Sequence, residues 1–101
     1  MPDKEFTQWL DGALLAASCR TVQGEVAAFC VMLLVEIEGR THCVARCDSA
    51  HGTSHQDILG IKKGLLEKEW FFESSDGEYF QHAIGDFKLH AADYIRFYRA
   101  N

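Results

Sequence analysis

An apolar stripe with helical spacing runs along the N-terminal part of the chain. Its members, which recur at i, i+3, i+4 and i+7, are Phe6, Trp9, Leu10, Ala13, Leu14 and Ala17. Asp3 precedes the stripe, where its carboxylate can cap a first helical turn. The pattern therefore predicts an N-terminal helix that ends before Gly24.

A valine-rich stretch between residues 26 and 48 predicts a β-hairpin with its turn at residues 38–40. The first strand, Val26–Ile37, is apolar on both faces, so we expect it to be the most buried part of the chain. A two-residue loop would place Arg46 and Asp48 on the same face as Val31, and a three-residue loop would reverse that match, because one residue of slip moves every side chain to the opposite face.

Two more strands and a long helix are predicted after the hairpin. His55–Leu59 is the third strand, and Leu65–Phe72, which follows a glycine turn, is the fourth. A helix is the alternative for the fourth segment, because its first residues are good helix formers. Ser75 and Glu78 have the spacing of a capping box. The apolar stripe behind that box comprises Phe80, Ala83, Ile84, Phe87, Ala91, Tyr94, Ile95 and Tyr98.

These elements predict a single α+β domain over residues 1–101. It consists of an N-terminal helix, a four-stranded antiparallel meander sheet and a long C-terminal helix, with both helices packed on the sheet because an apolar stripe must be buried against another element. The length suits one domain. Hydrophobic residues at 48% and charged residues at 25% are typical of soluble globular chains and exclude a disordered or fibrous protein.

Charge and hydropathy limit the cellular location and the classes of binding partner that we expect. A net charge of −5 argues against a nonspecific grip on phosphate backbones, so we do not expect a nucleic acid partner. The longest apolar run is about half of the roughly 20 residues that a membrane helix needs, and the N-terminus lacks the positive region of a secretory signal. We expect a cytoplasmic protein with no membrane segment, whose four cysteines, at positions 19, 30, 43 and 47, are free thiols.

Candidate chemistry is concentrated in residues 46–57, RCDSAHGTSHQD. As a metal site, Asp48, His51, His55 and Asp57 would supply the imidazole and carboxylate ligands that suit a divalent ion such as zinc or manganese. As a catalytic site, His51 or His55 would act in acid–base chemistry beside Asp48 and Arg46. As a structural turn, the same residues would hydrogen-bond the backbone and pair with one another. The residues alone leave all three interpretations open.

Strand periodicity predicts how these side chains are arranged. Arg46 and Asp48 are two residues apart on one strand, so they leave the same face, and His55 and Asp57 have the same relation on the next strand. We therefore expect the polar residues of the segment to gather around one loop, with Lys68 as a charge partner for an aspartate.

The pattern RxDxAHGxxHxD at residues 46–57 is similar to a family of small uncharacterised prokaryotic proteins. The EKE sequence at 67–69 and AIxD at 83–86 extend the similarity, which runs from the first predicted strand to Tyr98 and leaves the N-terminal helix uncovered. The chain departs from the family pattern at two places. Cys47 stands where an aromatic residue is typical, and residues 61–64 stand where a Pro-Asp-Gly-like turn is typical. The family implies no reaction. Small proteins with a helix on an antiparallel sheet and an Arg/Asp/His-rich hairpin look like toxins of toxin–antitoxin pairs, which is an analogy of fold.

Together these observations predict a self-associating binding or regulatory module with one polar site at residues 46–57. We expect a homodimer, because Phe71, Phe72, Phe97 and Tyr98 exceed what one small core can enclose and surplus apolar surface marks an interface. The ligand would be a small molecule or a protein. The alternative is a metal-dependent or acid–base hydrolase, including a toxin-like nuclease, so the sequence leaves open whether the protein is an enzyme.

Overall fold

A computed structural model describes residues 3–49, 54–71 and 75–101. Within these residues six strands form one antiparallel sheet in sequential order, and a single long helix follows. The elements are β1 (Lys4–Leu10), β2 (Ala13–Val22), β3 (Glu25–Ile37), β4 (Arg40–Asp48), β5 (Ser54–Gly60), β6 (Gly64–Phe71) and α1 (Asp76–Ala100). The predicted α+β architecture of an N-terminal helix, a four-stranded meander and a C-terminal helix is therefore wrong: the sheet has six strands, and the helix after it is the only one in the described residues. No helix in the described part of the chain has the length and hydropathy needed to cross a bilayer.

The N-terminal segment is a β-hairpin, so the predicted N-terminal helix is wrong. Leu10 pairs with Ala13 across a two-residue turn made by Asp11 and Gly12, and Gly12 has a φ of 82°. An Asp-Gly pair between two strands is a strong hairpin signal because glycine adopts positive φ without strain. Strand alternation and helical spacing overlap in this short apolar segment, and pairing with β3 decides in favour of the strands.

Asp3 closes this hairpin instead of capping a helix. Its carboxylate accepts hydrogen bonds from the backbone N–H of Thr21, at 3.1 Å, and from the Thr21 hydroxyl, at 2.7 Å. The hydrogen bond from the Thr21 side chain lowers the pKa of Asp3. The first two strands are therefore joined at both ends, by the turn and by this contact.

A register shift in the central hairpin decides where the candidate polar residues lie. Ile37 pairs with Arg40 across a two-residue turn, but between Leu33 and Leu34 the pairing moves by one residue. Beyond the shift Arg46 lies opposite Met32. Arg46 and Asp48 are therefore on the face opposite Val31, which corrects the assignment from a two-residue loop. A bulge places an extra residue in one strand and so reverses the faces beyond it.

One face of the sheet is covered by α1, and we call it the helix face; the opposite face is the open face. β3 contributes Phe29, Val31, Leu33 and Val35 to the buried core, which confirms the predicted burial of the central strand. The helix contributes the fully buried Phe87. Its remaining buried residues are Phe80, Ala83, Ile84, Ala91 and Tyr98.

Both ends of α1 are fixed. The Ser75 hydroxyl accepts a hydrogen bond from the Glu78 backbone N–H at 3.2 Å, as the capping box predicts. At the other end the β5–β6 turn contacts the helix terminus: the Lys63 N–H donates to the Asn101 carbonyl at 2.9 Å. Gly60 is required there, because a Cβ at this position would lie 2.8 Å from the Asn101 carbonyl carbon.

The structure also bears on the fourth predicted strand, on the surplus aromatic residues and on the cysteines. Residues 64–71 form strand β6, so the helical alternative for the fourth predicted strand is wrong. Tyr98 is buried in the core and is hydrogen-bonded to His42, which removes it from the surplus aromatics, whereas Phe97 is exposed. The Phe71 side chain and Phe72 lie outside the described residues. All four cysteines are free.

Candidate functional site

Two rows of directly paired residues cross all six strands on the open face. The Asp57 row consists of Thr7, Ala16, Met32, Arg46, Asp57 and Lys68. The His55 row consists of Glu5, Ser18, Cys30, Asp48, His55 and Trp70. Directly opposite residues in an antiparallel sheet have Cβ atoms about 4.5–5.5 Å apart. The rows therefore bring residues far apart in sequence into contact.

Asp57 lies between two cations from the neighbouring strands. Arg46 donates from Nε to Oδ2 at 2.6 Å, and Lys68 Nζ is 3.5 Å from Oδ1. The Asp57 side chain is only 1% exposed, whereas those of Arg46 and Lys68 are 42% and 34% exposed. A carboxylate this deeply buried needs a paired cation, because burial of a lone charge is strongly unfavourable. Arg46 and Lys68 supply the positive charge that the buried Asp57 carboxylate needs, on a face of the sheet that no helix covers.

The hydrogen bonds around Asp57 are incomplete on both sides. Oδ1 of Asp57 is buried and accepts no hydrogen bond from the part of the chain that the structure describes. Arg46 uses only its Nε, and its terminal amino groups have no acceptor among residues 3–49, 54–71 and 75–101. The hydrogen bond to Asp57 raises the pKa of the Arg46 guanidinium, which keeps it charged. Two half-exposed positive charges thus share one buried negative charge.

The His55 row adds an aromatic surface beside these cations. His55 Nε2 is 3.1 Å from Oδ1 of Asp48, and the His55 side chain is 4% exposed. The imidazole ring packs on the indole of Trp70 with 4.8 Å between ring centroids. Lys68 Nζ is 5.3 Å from the centre of the same indole, and Trp70 is 44% exposed. Trp70 therefore joins the two rows and presents an accessible ring next to the Lys68 ammonium.

The structure brings together four of the predicted site residues. Arg46, Asp48, His55 and Asp57 lie on the open face of β4 and β5, and Lys68 contacts Asp57 as a charge partner. The fifth, His51, lies outside the described residues.

Trp70 was not among the predicted site residues. On the strand β6 it lies two positions after Lys68, so strand periodicity alone places it on the same face as the charged side chain. Its register with His55 is the part that the sequence did not reveal.

The proposed metal ligands are only partly assembled. Among the residues that the structure describes, no three histidine, cysteine, aspartate or glutamate side chains converge as a metal-binding group. Asp48 and His55 are in contact, but Asp57 is occupied by Arg46 and Lys68. A divalent cation at Asp57 would meet two positive charges, which weakens the metal interpretation at that residue. The zinc or manganese site stays a prediction.

The thiols near the site are not activated nucleophiles. Burial raises the pKa of Cys30 and Cys43, and it raises the pKa of Cys47 to about 12. Because the thiolate is the reactive form, such cysteines are inert at neutral pH. They serve as packing side chains.

Comparison with known proteins identifies a family without an assigned activity. The family described as Domain of unknown function (DUF7718) matches residues 1–101, and the chain belongs to this family. The match includes the N-terminal hairpin, which the similarity seen in the sequence had left uncovered. No curated protein and no solved structure is significantly similar to the chain.

Proposed function

We propose that this domain is a self-associating binding module whose ligand carries a carboxylate or phosphate group. The group would bind at the anion site, which we define as Arg46, Lys68 and Trp70. The observation that carries the proposal is the shared carboxylate: two half-exposed cations, Arg46 and Lys68, flank the single buried carboxylate of Asp57.

The geometry of Arg46 supports an anion better than a neutral ligand. Guanidinium groups bind carboxylate and phosphate through two parallel N–H donors, and such charge-assisted hydrogen bonds are about twice as strong as neutral ones. Here Nε is held by Asp57, and the terminal amino groups, which have no acceptor among the described residues, are the donors proposed to meet a ligand. Asp48, the carboxylate in the neighbouring row, contacts His55. Asp57 accordingly acts as a positioning residue for Arg46.

Titration calorimetry with inorganic phosphate and with acetate tests the anion site. Lys68→Gln removes one cation while the Arg46–Asp57 contact stays, so the variant is expected to fold. Loss of one charge-assisted hydrogen bond is worth about 1.5–3 kcal/mol, so binding is expected to weaken by roughly tenfold or more. Lys88→Gln, on the exposed surface of α1, is the matched control and is expected to bind as the parent does. Failure of both anions to bind, or equal binding by Lys68→Gln, would overturn the proposal.

Self-association is assigned to the edge strand β1. One side of its backbone has no neighbouring strand in the described sheet, and Phe6 and Trp9 are 42% and 79% exposed. Two β1 strands paired about a two-fold axis would continue the sheet and cover both aromatics. Sedimentation velocity at micromolar concentration is expected to give twice the 11.4 kDa chain mass. Trp9→Lys is expected to shift the protein to monomer, and a monomeric parent would reject the dimer.

The metal-dependent and acid–base alternatives are testable with one pair of variants. His51→Ala and His55→Ala are compared with the parent in titrations with zinc and manganese and in hydrolase assays, nuclease substrates included. If the parent binds neither zinc nor manganese, the metal-dependent hydrolase is rejected. The burial of the His55 side chain favours a binding role over catalysis, because a general base must reach its substrate.

Cytoplasmic location belongs to the proposal, and the four free thiols fit that reducing compartment.

A further inference from the structure

A pocket of about 420 Å³ lies on the open face next to the anion site. Its open-face lining belongs to the two rows defined above and consists of Glu5, Thr7, Ala16, Ser18, Cys30 and Met32. Ala16 and Ser18 lie in the middle of this group, on β2. Because their side chains are small, the surface is depressed between the longer side chains of β1 and β3.

The pocket and the anion site are adjacent. Met32 at the pocket wall is directly opposite Arg46, and Cys30 is directly opposite Asp48. No strand separates Arg46 from the pocket, and Lys68 and Trp70 lie on β6, two strands beyond Arg46. Neighbouring strands lie about 4.8 Å apart, so the path from Arg46 across β3 and β2 to β1 is about 14 Å long.

We propose that the ligand of the anion site is an unbranched alkyl monocarboxylate whose chain occupies this pocket. The inference rests on the proposed function, because the carboxylate is placed at Arg46 and Lys68. Apolar atoms of Ala16, Cys30 and Met32 line the path that the chain would follow. With carbon–carbon bonds of about 1.5 Å, an extended alkyl chain advances about 1.25 Å per carbon, so a chain of about ten carbons fits the path.

Glu5 makes the two ends of the proposed ligand site differ in charge. It lies at the β1 end of the pocket, three strands away from Arg46, and no ion pair in the described residues neutralises it. A second carboxylate at the far end of the ligand would meet this negative charge, and like charges in proximity are disfavoured. The site is therefore complementary to a monocarboxylate and opposed to a dicarboxylate of the same length.

Calorimetry with acetate, decanoate below its critical micelle concentration, and decanedioate tests the inference on the full-length chain. Decanoate is expected to bind at least about tenfold tighter than acetate, because several methylene groups leave water. Decanedioate is expected to bind more weakly than decanoate, and Glu5→Gln is expected to abolish that difference.

Two substitutions separate the pocket from the anion site. Ala16→Phe fills the depression and is expected to remove the advantage of decanoate while acetate binding is retained. Ala92→Phe, on the exposed surface of α1, is the matched control and is expected to keep the parent's preference. Lys68→Gln is expected to weaken acetate and decanoate alike.

The outcomes distinguish this inference from the proposed function. If acetate binds through Lys68 but decanoate gains nothing, or if Ala16→Phe keeps the full gain, the alkyl ligand is rejected and the anion site stands. If decanoate binds Lys68→Gln as tightly as it binds the parent, the carboxylate is not at the anion site and the inference fails. If neither carboxylate nor phosphate binds, both proposals fail.

Discussion

Strand β5 shows how differently the two faces of one sheet hold buried polar groups. Its alternate residues Ser54 and Gln56 lie on the helix face, where Gln56 donates to the hydroxyl of Tyr94 at 3.0 Å and Ser54 donates to a helix carboxylate. His55 and Asp57, on the open face, are buried as deeply as Ser54, yet the contacts described for them above come from side chains of β4 and β6.

The difference shows that buried polar groups are covered in different ways on the two faces. On the helix face a whole element covers the sheet, so polar groups there are satisfied inside the protein and contribute to stability. On the open face the covering groups are themselves half-exposed side chains, namely Arg46, Lys68 and Trp70. The buried Asp57 holds these exposed groups in place. Substitutions on the helix face are therefore expected to cost stability first, and those on the open face to cost binding first.

The largest expected effect is on the helix face. Phe87 is fully buried beneath the sheet, and Phe87→Ala is expected to lower the free energy of unfolding by about 3–5 kcal/mol through lost burial and a residual cavity. Leu89→Ala, two residues away and exposed, is the control and is expected to change it by less than about 0.5 kcal/mol. Urea unfolding measures both. Similar losses for the two variants would contradict the assignment of the covered face.

An intermediate loss of stability is expected when the ion pair between Arg46 and Asp57 is broken, and the loss is expected to depend on which partner is replaced. Arg46→Met leaves Asp57 buried with only Lys68 at 3.5 Å, and is expected to cost about 2–3 kcal/mol, below the value for a fully buried pair because Arg46 is 42% exposed. Asp57→Asn leaves two half-exposed cations that water can solvate, and is expected to cost about 1 kcal/mol less. Urea unfolding of both variants, with Arg99→Met as surface control, measures the difference. A larger loss of stability for Asp57→Asn than for Arg46→Met would show that the buried carboxylate does not depend on Arg46 for its compensation.

The smallest effect is expected at high pH on the helix face. Burial raises the pKa of Cys47 from 9.0 to about 12, and burial together with the hydrogen bond to Asp86 raises the pKa of Tyr94. In the folded state both groups keep their protons where the unfolded chain loses them, so their contribution is fully present below pH 9 and is lost as pH rises above it.

For Cys47 alone this amounts to about 1.4 kcal/mol by pH 10, since one pKa unit corresponds to about 1.4 kcal/mol. Unfolding midpoints of the parent and of Cys47→Ala between pH 7 and pH 10.5 give the measurement. The variant is expected to be less stable at pH 7 but to lose less with rising pH. Parallel curves for the two proteins would show that Cys47 does not titrate as a buried thiol.

The C-terminal helix was predicted correctly from the sequence, and the N-terminal helix was predicted wrongly. One physical reason explains both outcomes. The signals of α1 are local: a capping box at Ser75 and Glu78, and a stripe long enough to exclude a strand. The N-terminal stripe is short, and the same apolar positions fit two strands joined by Asp11 and Gly12. Pairing with β3, a contact between distant residues, decides between them, and propensity does not encode it.

The candidate site was predictable in part for a related reason. A period of two was enough to place Arg46 with Asp48 and His55 with Asp57. Which face they occupy depends on the register shift between Leu33 and Leu34, which leaves no mark in the composition of either strand. Trp70 joins the site through its register with His55, which is likewise a property of the assembled sheet.

The open face is proposed to bind the ligand, and the few methionine and tryptophan side chains of the chain can report on that binding. It contains two methionines, Met1 and Met32, and two tryptophans, Trp9 and Trp70. The measurement is an NMR titration of methionine methyl and tryptophan indole signals with inorganic phosphate and then with decanoate. Phosphate is expected to shift the Trp70 indole signal, and decanoate is expected to shift the Met32 methyl signal in addition, while the same titrations of Lys68→Gln give much smaller changes. Signals of Trp70 and Met32 that stay in place at saturating concentrations of both ligands would contradict the account.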